Sequence, residues 1–414
     1  MPIIIFELSR LFNKIPYFDE NVEISQYPDI PNNEFTRDEI LSMLAKEMLD
    51  AAEQLPASQP EVGRIHKYIA LAYAAKIKLY QAYQQDEITH AVTSINKELL
   101  REVVSLCDQV TASNRYGLLD DFQGLDLVTN ENGKESVFAI QYSMNDGTES
   151  AGRINWSNLL NSPGGGSPYG GDGFFLPSQD LINAYQTDAN GLPDFNYQSK
   201  SDYSWAVLNN GVYTLQNTTP NVDPRLDFVV GRPTITWKTY PDKPCEGWVR
   251  DKDTYGYNCA KRFWVSPESS DMFNGWPWGA SQLNWQIIRY ADILLWKAEA
   301  LIELNEGNGL ETARDLINQI RNRARNSAYV KDFNDHSKYA ANYLVNPYPA
   351  DVWNQDYARQ ALRWETRLEK ALEGERFFDL VRWGIVETTM NNYITAESDN
   401  RIYYANAHVY GWKG

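Results

Sequence analysis

The chain has 414 residues, 43% hydrophobic and 22% charged, with 55 acidic against 38 basic side chains and a formal charge of −17. Such a length and composition describe a globular chain that can bury a large core and has room for two lobes. The acidic balance excludes the basic, counterion-releasing surface that nucleic-acid binding needs, and disfavours an anionic membrane surface.

No run of 18 apolar residues occurs, so no bilayer-spanning helix is predicted. The opening MPIIIFELSRLF is apolar but lacks the basic region and small-residue cleavage site of a signal peptide. Residues 36–55 are predicted to form a helix, with Thr36 as N-cap, Glu39 completing a capping box and Pro56 closing the segment. Its apolar face is Ile40, Leu44, Met48 and Ala51 or Ala52. A second helix is predicted over 63–85, with Ala70, Ala74 and Ala75 as small contact residues. A third is predicted over 94–112, where Cys107 reads as a small buried hydrophobe. Alanine at the crossings and short turns between helices suggest antiparallel pairs of tetratricopeptide type.

From 113 to 283 the texture changes. Short β-like pieces are predicted at 136–143 and 226–231, and one short helix at 178–186. Glycine- and proline-rich links at 162–173, 218–225 and 240–248 separate them. An irregular region inside a helical chain is where binding groups are expected. Cys245 and Cys259 flank one loop; they would either close a disulfide worth about 3 kcal/mol in an oxidising compartment or stay as unpaired thiols.

Helices are predicted again at 284–305, 311–325 and 355–392. Ile288, Ala291, Leu295, Ala298 and Ile302 form the apolar stripe of the first. In the second, Ala313, Leu316, Ile317 and Ile320 precede RNRAR, basic residues that suit a helix C-terminus. In the third, Glu365, Glu369, Glu373 and Asp379 interleave with Arg363, Arg367, Arg376 and Arg382, which reads as ion pairs at three and four residues.

Catalytic motifs are scarce. There is no Gly-x-Ser-x-Gly elbow and no Walker-type phosphate loop; SPGGGSPYGG reads as a flexible loop. The four histidines (His66, His90, His336 and His408) are too widely spaced to suggest a triad or a metal site. No cofactor is expected.

Aromatic residues are the unusual part of the composition, with 13 Trp, 26 Tyr and 15 Phe. A pyranose ring has an apolar C–H face, which a flat exposed aromatic covers, and a fringe of hydroxyls for nearby Asn, Asp, Arg or Gln. Loop-borne Trp and Tyr supply that area at low entropic cost. The candidates by loop context are Trp205, Tyr213, Trp237, Trp248, Trp276 and Trp278, the last two within NGWPWGAS. Trp285, Trp296, Trp353, Trp364, Trp383 and the RFF run at 376–378 sit at helical spacings and are assigned to core.

The order of several segments resembles the SusD/RagB family of outer-membrane nutrient-binding lipoproteins, over nearly the whole chain. They are RIHKYIALAYAAKIKLYQA, ESVFAIQYS, FFLPSQDLINAYQTDANGLPD, DPRLDF, RYADILLWKAEALIELN, TARDLINQIRNRA and RLEKALEGERFFDLVRWG. Asp292 stands where the family usually has Glu. The family's lipoprotein signal, lipidated cysteine and first helix are not in the chain, nor is its closing Pro-Ile-Pro stretch, so the chain is expected to be truncated at both ends.

The resemblance implies a mainly α, SusD-like fold: tetratricopeptide-like helix pairs packed against an irregular, loop-rich lobe with short strands. Its expected parts are helical residues 1–112, a ligand-binding lobe at 113–283 and helical residues 284–414. It further implies a non-enzymatic, surface-exposed outer-membrane protein, anchored by lipid, that delivers oligosaccharides to a SusC-like TonB-dependent transporter. The competing expectations are a scaffold for a peptide or protein ligand and, behind it, a glycoside hydrolase, which needs two carboxylates about 5–10 Å apart beside the aromatics.

Overall fold

The computed structural model describes residues 2–400, apart from 20, 87, 149–151, 157–158, 162, 165, 251 and 276–277. Four helices open the chain: α1 (Pro2–Leu11), α2 (Arg37–Gln54), α3 (Lys67–Ala82) and α4 (Lys97–Ala112). The capping box at Thr36 is present, with the Thr36 N–H donating to Glu39 at 2.8 Å and the Glu39 N–H to Thr36 Oγ1 at 3.3 Å. Every residue of α3 from Ile69 to Ala82 is buried, because α2 and α4 cover opposite sides of it. Its alanines have no side chain beyond Cβ to hold those neighbours away. The strands Tyr83–Gln85 and Val92–Ile95 pair with each other and occupy ends that helical periodicity had assigned to α3 and α4.

The middle of the chain holds the short helices α5 (Gln179–Ala184), α6 (Arg225–Val229) and α7 (Lys252–Tyr255) among two-stranded pairs. The extended piece expected at 226–231 is mostly α6. Pro224 presets the helical φ, and Asp223 accepts the Arg225 N–H at 3.0 Å, so only Val230–Gly231 is left as strand.

The stack resumes with α8 (Tyr290–Leu304), α9 (Gly309–Asn326) and α10 (Gln355–Glu369), followed by α11 (Arg376–Arg382) and α12 (Val386–Asn400). α4 packs on α8, α8 on α9, and α10 on both α8 and α9, which continues the packing succession begun by α2–α4. Two expectations are corrected here. Residues 285–289, WQIIR, are not helical but pair antiparallel with Ser136–Ile140, where branched side chains suit the pleat. The single helix expected over 355–392 is three, because Gly374 and Gly384 sit at left-handed φ of 83° and 65° and turn the chain.

Buried charge ties the helices to the loop-rich part. Glu369 of α10 receives Arg225, Arg289 and Arg323, which come from three separate segments. Arg289 also reaches Glu135 at 2.7 Å and Glu373 at 2.7 Å, and Arg321 reaches Glu365 at 3.0 Å. Burial works against the Glu369 carboxylate, yet Arg323, Arg289 and Arg225 together hold its pKa down at about 2. The carboxylates of 365–379 therefore pair mainly across the fold and not along their own helix; Asp379–Arg382 at 2.9 Å is a local exception. Arg321 and Arg323, toward the end of α9, are buried ion-pair partners of Glu365 and Glu369.

Candidate functional site

The glycine-rich loop 163–174 is held by its neighbours on several sides. The Gly164 N–H donates to the Gly170 carbonyl at 2.8 Å, with Gly164 at a left-handed φ of 77°. Arg250 donates to the Gly171 carbonyl at 2.8 Å and pairs with Asp172 at 3.1 Å; both side chains are exposed. Tyr169, inside the loop, is fully buried. Its hydroxyl accepts from Trp237 Nε1 at 2.8 Å and donates to the Val265 carbonyl at 2.7 Å. The loop expected to be flexible is thus pinned by its own tyrosine.

The pinning site is an aromatic core. Trp237 and Trp248 cross edge to face at 4.7 Å, and Tyr169 lies 5.4 Å from Trp264. Trp237 is 0% and Trp248 5% exposed, so neither presents a ring face to a ligand. Both were expected on the platform and are corrected to the packing beneath it. Gly231 is required there, since a Cβ would lie 2.5 Å from the Trp237 ring. Of the two alternatives for the cysteine pair, the structure has the unpaired one: Cys245 and Cys259 are free, buried thiols in the same core. Burial, and then a hydrogen bond with Cys259, pushes the Cys245 thiol well above its ordinary pKa.

Above this core lie the exposed aromatics. Trp278 is 60% exposed, and its Cβ is 3.3 Å from the space a side chain on Gly170 would take, so it overhangs the loop. Phe174, at the loop's end, is 73% exposed. On the other side, the Tyr213 hydroxyl is 3.6 Å from the Cβ position of Gly247, whose carbonyl in turn faces Gly166. Tyr213 and Tyr257 meet edge to face at 5.6 Å, and burial followed by the neighbouring Tyr257 raises the Tyr213 pKa.

Tyr213 sits on a hairpin, Trp205–Asn209 with Val212–Gln216, turned by Asn210 and Gly211 at left-handed φ. In this register Trp205 opposes Gln216 and Tyr213 opposes Leu208. Trp205 and Tyr213 therefore point to opposite faces of the ribbon and do not share one platform. Trp276 lies outside the described residues. The structure thus brings Trp278 and Tyr213 to one loop, places Trp205 on the hairpin's other face, and adds Phe174 and Tyr169, which the sequence reading passed over. Tyr169 lies inside the glycine-rich link at 162–173, and Phe174 directly follows it.

Among the aromatics assigned to core, Trp296 and Trp383 are buried, but Phe377 is 56% exposed and is corrected to surface. Trp285 is half-buried, tilted on Phe263 at 4.5 Å. Among the described residues no three His, Cys, Asp or Glu side chains converge as a metal site, and no helix is long and apolar enough to cross a membrane. The Glu131 carboxyl is displaced toward neutrality. Burial foremost, with a contribution from Asp271, raises it to about 7, although it accepts the Asn284 N–H at 2.5 Å.

The SusD family model matches residues 134–411. A comparison with curated proteins finds no match. Solved structures align over most of the chain. A SusD-like carbohydrate-binding protein from Bacteroides fragilis NCTC 9343 has a TM-score of 0.66 at 20% identity, over 94% of this chain and 66% of its own. A laminarin-binding SusD-like protein has a TM-score of 0.53 at 19% identity, over 96% and 70%. A structure with xylogluco-oligosaccharide has a TM-score of 0.57 at 16% identity, over 95% and 65%. The chain spans about two thirds of the length of these structures. At such identities they establish the fold, a helix-rich SusD-like architecture with few short strands. The family model covers well over half of the sequence and establishes membership: the chain belongs to the SusD family.

Proposed function

We propose that the protein binds an oligosaccharide or polysaccharide without catalysis, at the cell surface, and passes it to a SusC-like TonB-dependent transporter in the outer membrane, to which it is held by lipid. The observation that carries this reading is Trp278, exposed above a glycine loop whose own Tyr169 is locked into the core beneath. A rigid loop loses little entropy when a sugar stacks on it. Arg250 and Asp172 at the loop's edge are placed to meet hydroxyls. The fold relatives described as carbohydrate-binding, as laminarin-binding and as solved with a xylogluco-oligosaccharide support the same class of ligand.

The test is affinity electrophoresis through laminarin, xyloglucan and a wider panel of polysaccharides, with reducing ends measured in the same samples. Retardation without new reducing ends, lost in Trp278→Ala, is the expected result. New reducing ends would make the protein a hydrolase, and absence of retardation by every glycan would end the carbohydrate reading.

A peptide ligand is a second reading with an observation of its own. A groove of about 660 Å³ runs between α1 and the strand pair, lined by Ile4, Leu8, Leu11, Ile140 and Trp285. Ile4 and Leu11 are more than half exposed, and an apolar groove of this kind suits anchoring side chains. Binding of apolar peptides that is lost in Leu8→Asp, together with silence on glycans, would favour it.

A further inference from the structure

A second cleft, of about 330 Å³, opens where the loop before α3 meets the turn after α4 and the strand Ser136–Ile140. It shares no residue with the Trp278 surface. Gly63 makes the close approach possible. It sits at a left-handed φ of 82°, and a Cβ there would lie 2.5 Å from Gln141 Cγ. The Asn132 and Gln141 amides pair at 2.8 and 3.0 Å and give one polar wall. Val62, 70% exposed, gives an apolar one.

The cleft is locally basic on an acidic chain. Arg64, Arg115 and Lys134 line it against a single carboxylate, Glu61. Arg64 spends part of its charge on Glu61 at 3.1 Å, and Lys134 on Asp120 at 2.8 Å. Among the described residues no carboxylate pairs with Arg115.

Hydrogen bonding adds direction to the charge. His66 Nδ1 accepts the Tyr68 N–H at 3.3 Å, and burial followed by the Arg115 charge lowers the His66 pKa, so the neutral ring carries its proton on Nε2. That proton is donated to the Tyr116 hydroxyl at 3.2 Å. A hydroxyl oxygen that accepts this bond has its own proton left to donate outward. Arg115 and Tyr116 together make a charge-assisted pair of donors beside an apolar wall.

We propose that this cleft binds a uronic-acid residue of an acidic oligosaccharide. The carboxylate meets Arg115 and Tyr116, with Lys134 adding charge, and the ring lies along Val62. The ligand's class rests on the glycan-binding reading above, while the site itself is independent of the aromatic loop.

Calorimetric titration of the whole chain with trigalacturonate, and with its uncharged methyl ester, tests this. The acid is expected to bind more tightly than the ester by roughly tenfold or more. Arg115→Ala should remove that preference and Lys134→Gln should weaken it. Arg115 is exposed, and circular dichroism of the variant confirms that it folds. Equal binding of acid and ester, no binding of either, or a preference that survives in Arg115→Ala overturns the proposal. Failure of the general glycan reading would be seen separately, as loss of retardation by the neutral polysaccharides.

Discussion

Arg225 and Glu365 meet at 2.6 Å with both side chains fully buried, which joins the Asp-Pro-Arg turn of the loop-rich part to α10 of the helical stack. The same guanidinium grips Asp223 at 2.7 Å and Glu369 at 3.2 Å. Two charges taken from water stabilise a fold only while their partners are in place. The arrangement is therefore a clamp whose failure is felt in both parts of the molecule.

Removing Glu369 would leave Arg225, Arg289 and Arg323 short of a shared partner. Glu369→Ala is expected to cost about 3–5 kcal/mol, read as a lowered urea midpoint. An unchanged midpoint would show that the remaining carboxylates are sufficient.

Acid should attack the same clamp. The Glu369 pKa is about 2 in the fold against an ordinary 4.5, and Glu375, with burial opposing, is likewise held at about 2 by Lys76 and Arg10. The folded state thus holds these protons more weakly than the unfolded chain. Their stabilisation is complete above about pH 4.5 and is lost as pH falls toward 2. Thermal midpoints should drop through that window, and less steeply in Glu369→Gln measured against its own value at neutral pH.

Glu131 has the opposite sign. Its pKa, raised from 4.5 to about 7, means that the fold binds its proton more tightly than the unfolded chain. Its cost grows as pH rises between those values and is full above 7. Glu131→Gln keeps an acceptor for the Asn284 N–H and removes the charge. The variant should gain stability over the wild type at pH 8 and show little gain at pH 4.5, read by thermal unfolding at the two pH values.

Trp237 and Trp278 should separate stability from binding. Trp237→Ala removes a fully buried indole and its bond to Tyr169, and is expected to cost about 3–5 kcal/mol. Trp278→Ala changes an exposed ring, and its unfolding midpoint should stay within about 0.5 kcal/mol of wild type while glycan retardation is lost. Equal loss of stability in both would place Trp278 in the packing instead.

The thiols offer a chemical check on the loop core. Cys107, Cys245 and Cys259 are all buried and free. Ellman's reagent should find no reactive thiol in the native protein and all three after denaturation. Intact mass without the loss of two hydrogens would agree; a bonded Cys245–Cys259 pair would contradict it.

The sequence by itself determined the helical stack, because its signals are local. Thr36 and Glu39 cap α2 three residues apart, and the alanines of α3 mark its crossings wherever its neighbours come from. It also carried enough ordered motifs to indicate the family. Tertiary structure alone decided which aromatics face water. Trp237 and Trp278 both stand among glycines and prolines, yet one is held by Tyr169 from 68 residues away and the other overhangs Gly170. The side to which Trp205 and Tyr213 point depends on the hairpin register. Likewise, the carboxylates of 365–373 look like partners for arginines along their own helix but serve Arg225, Arg289 and Arg321 from elsewhere. Burial and long-range pairing depend on segments that meet only when the chain folds, and spacing along the sequence carries no record of which segments those are.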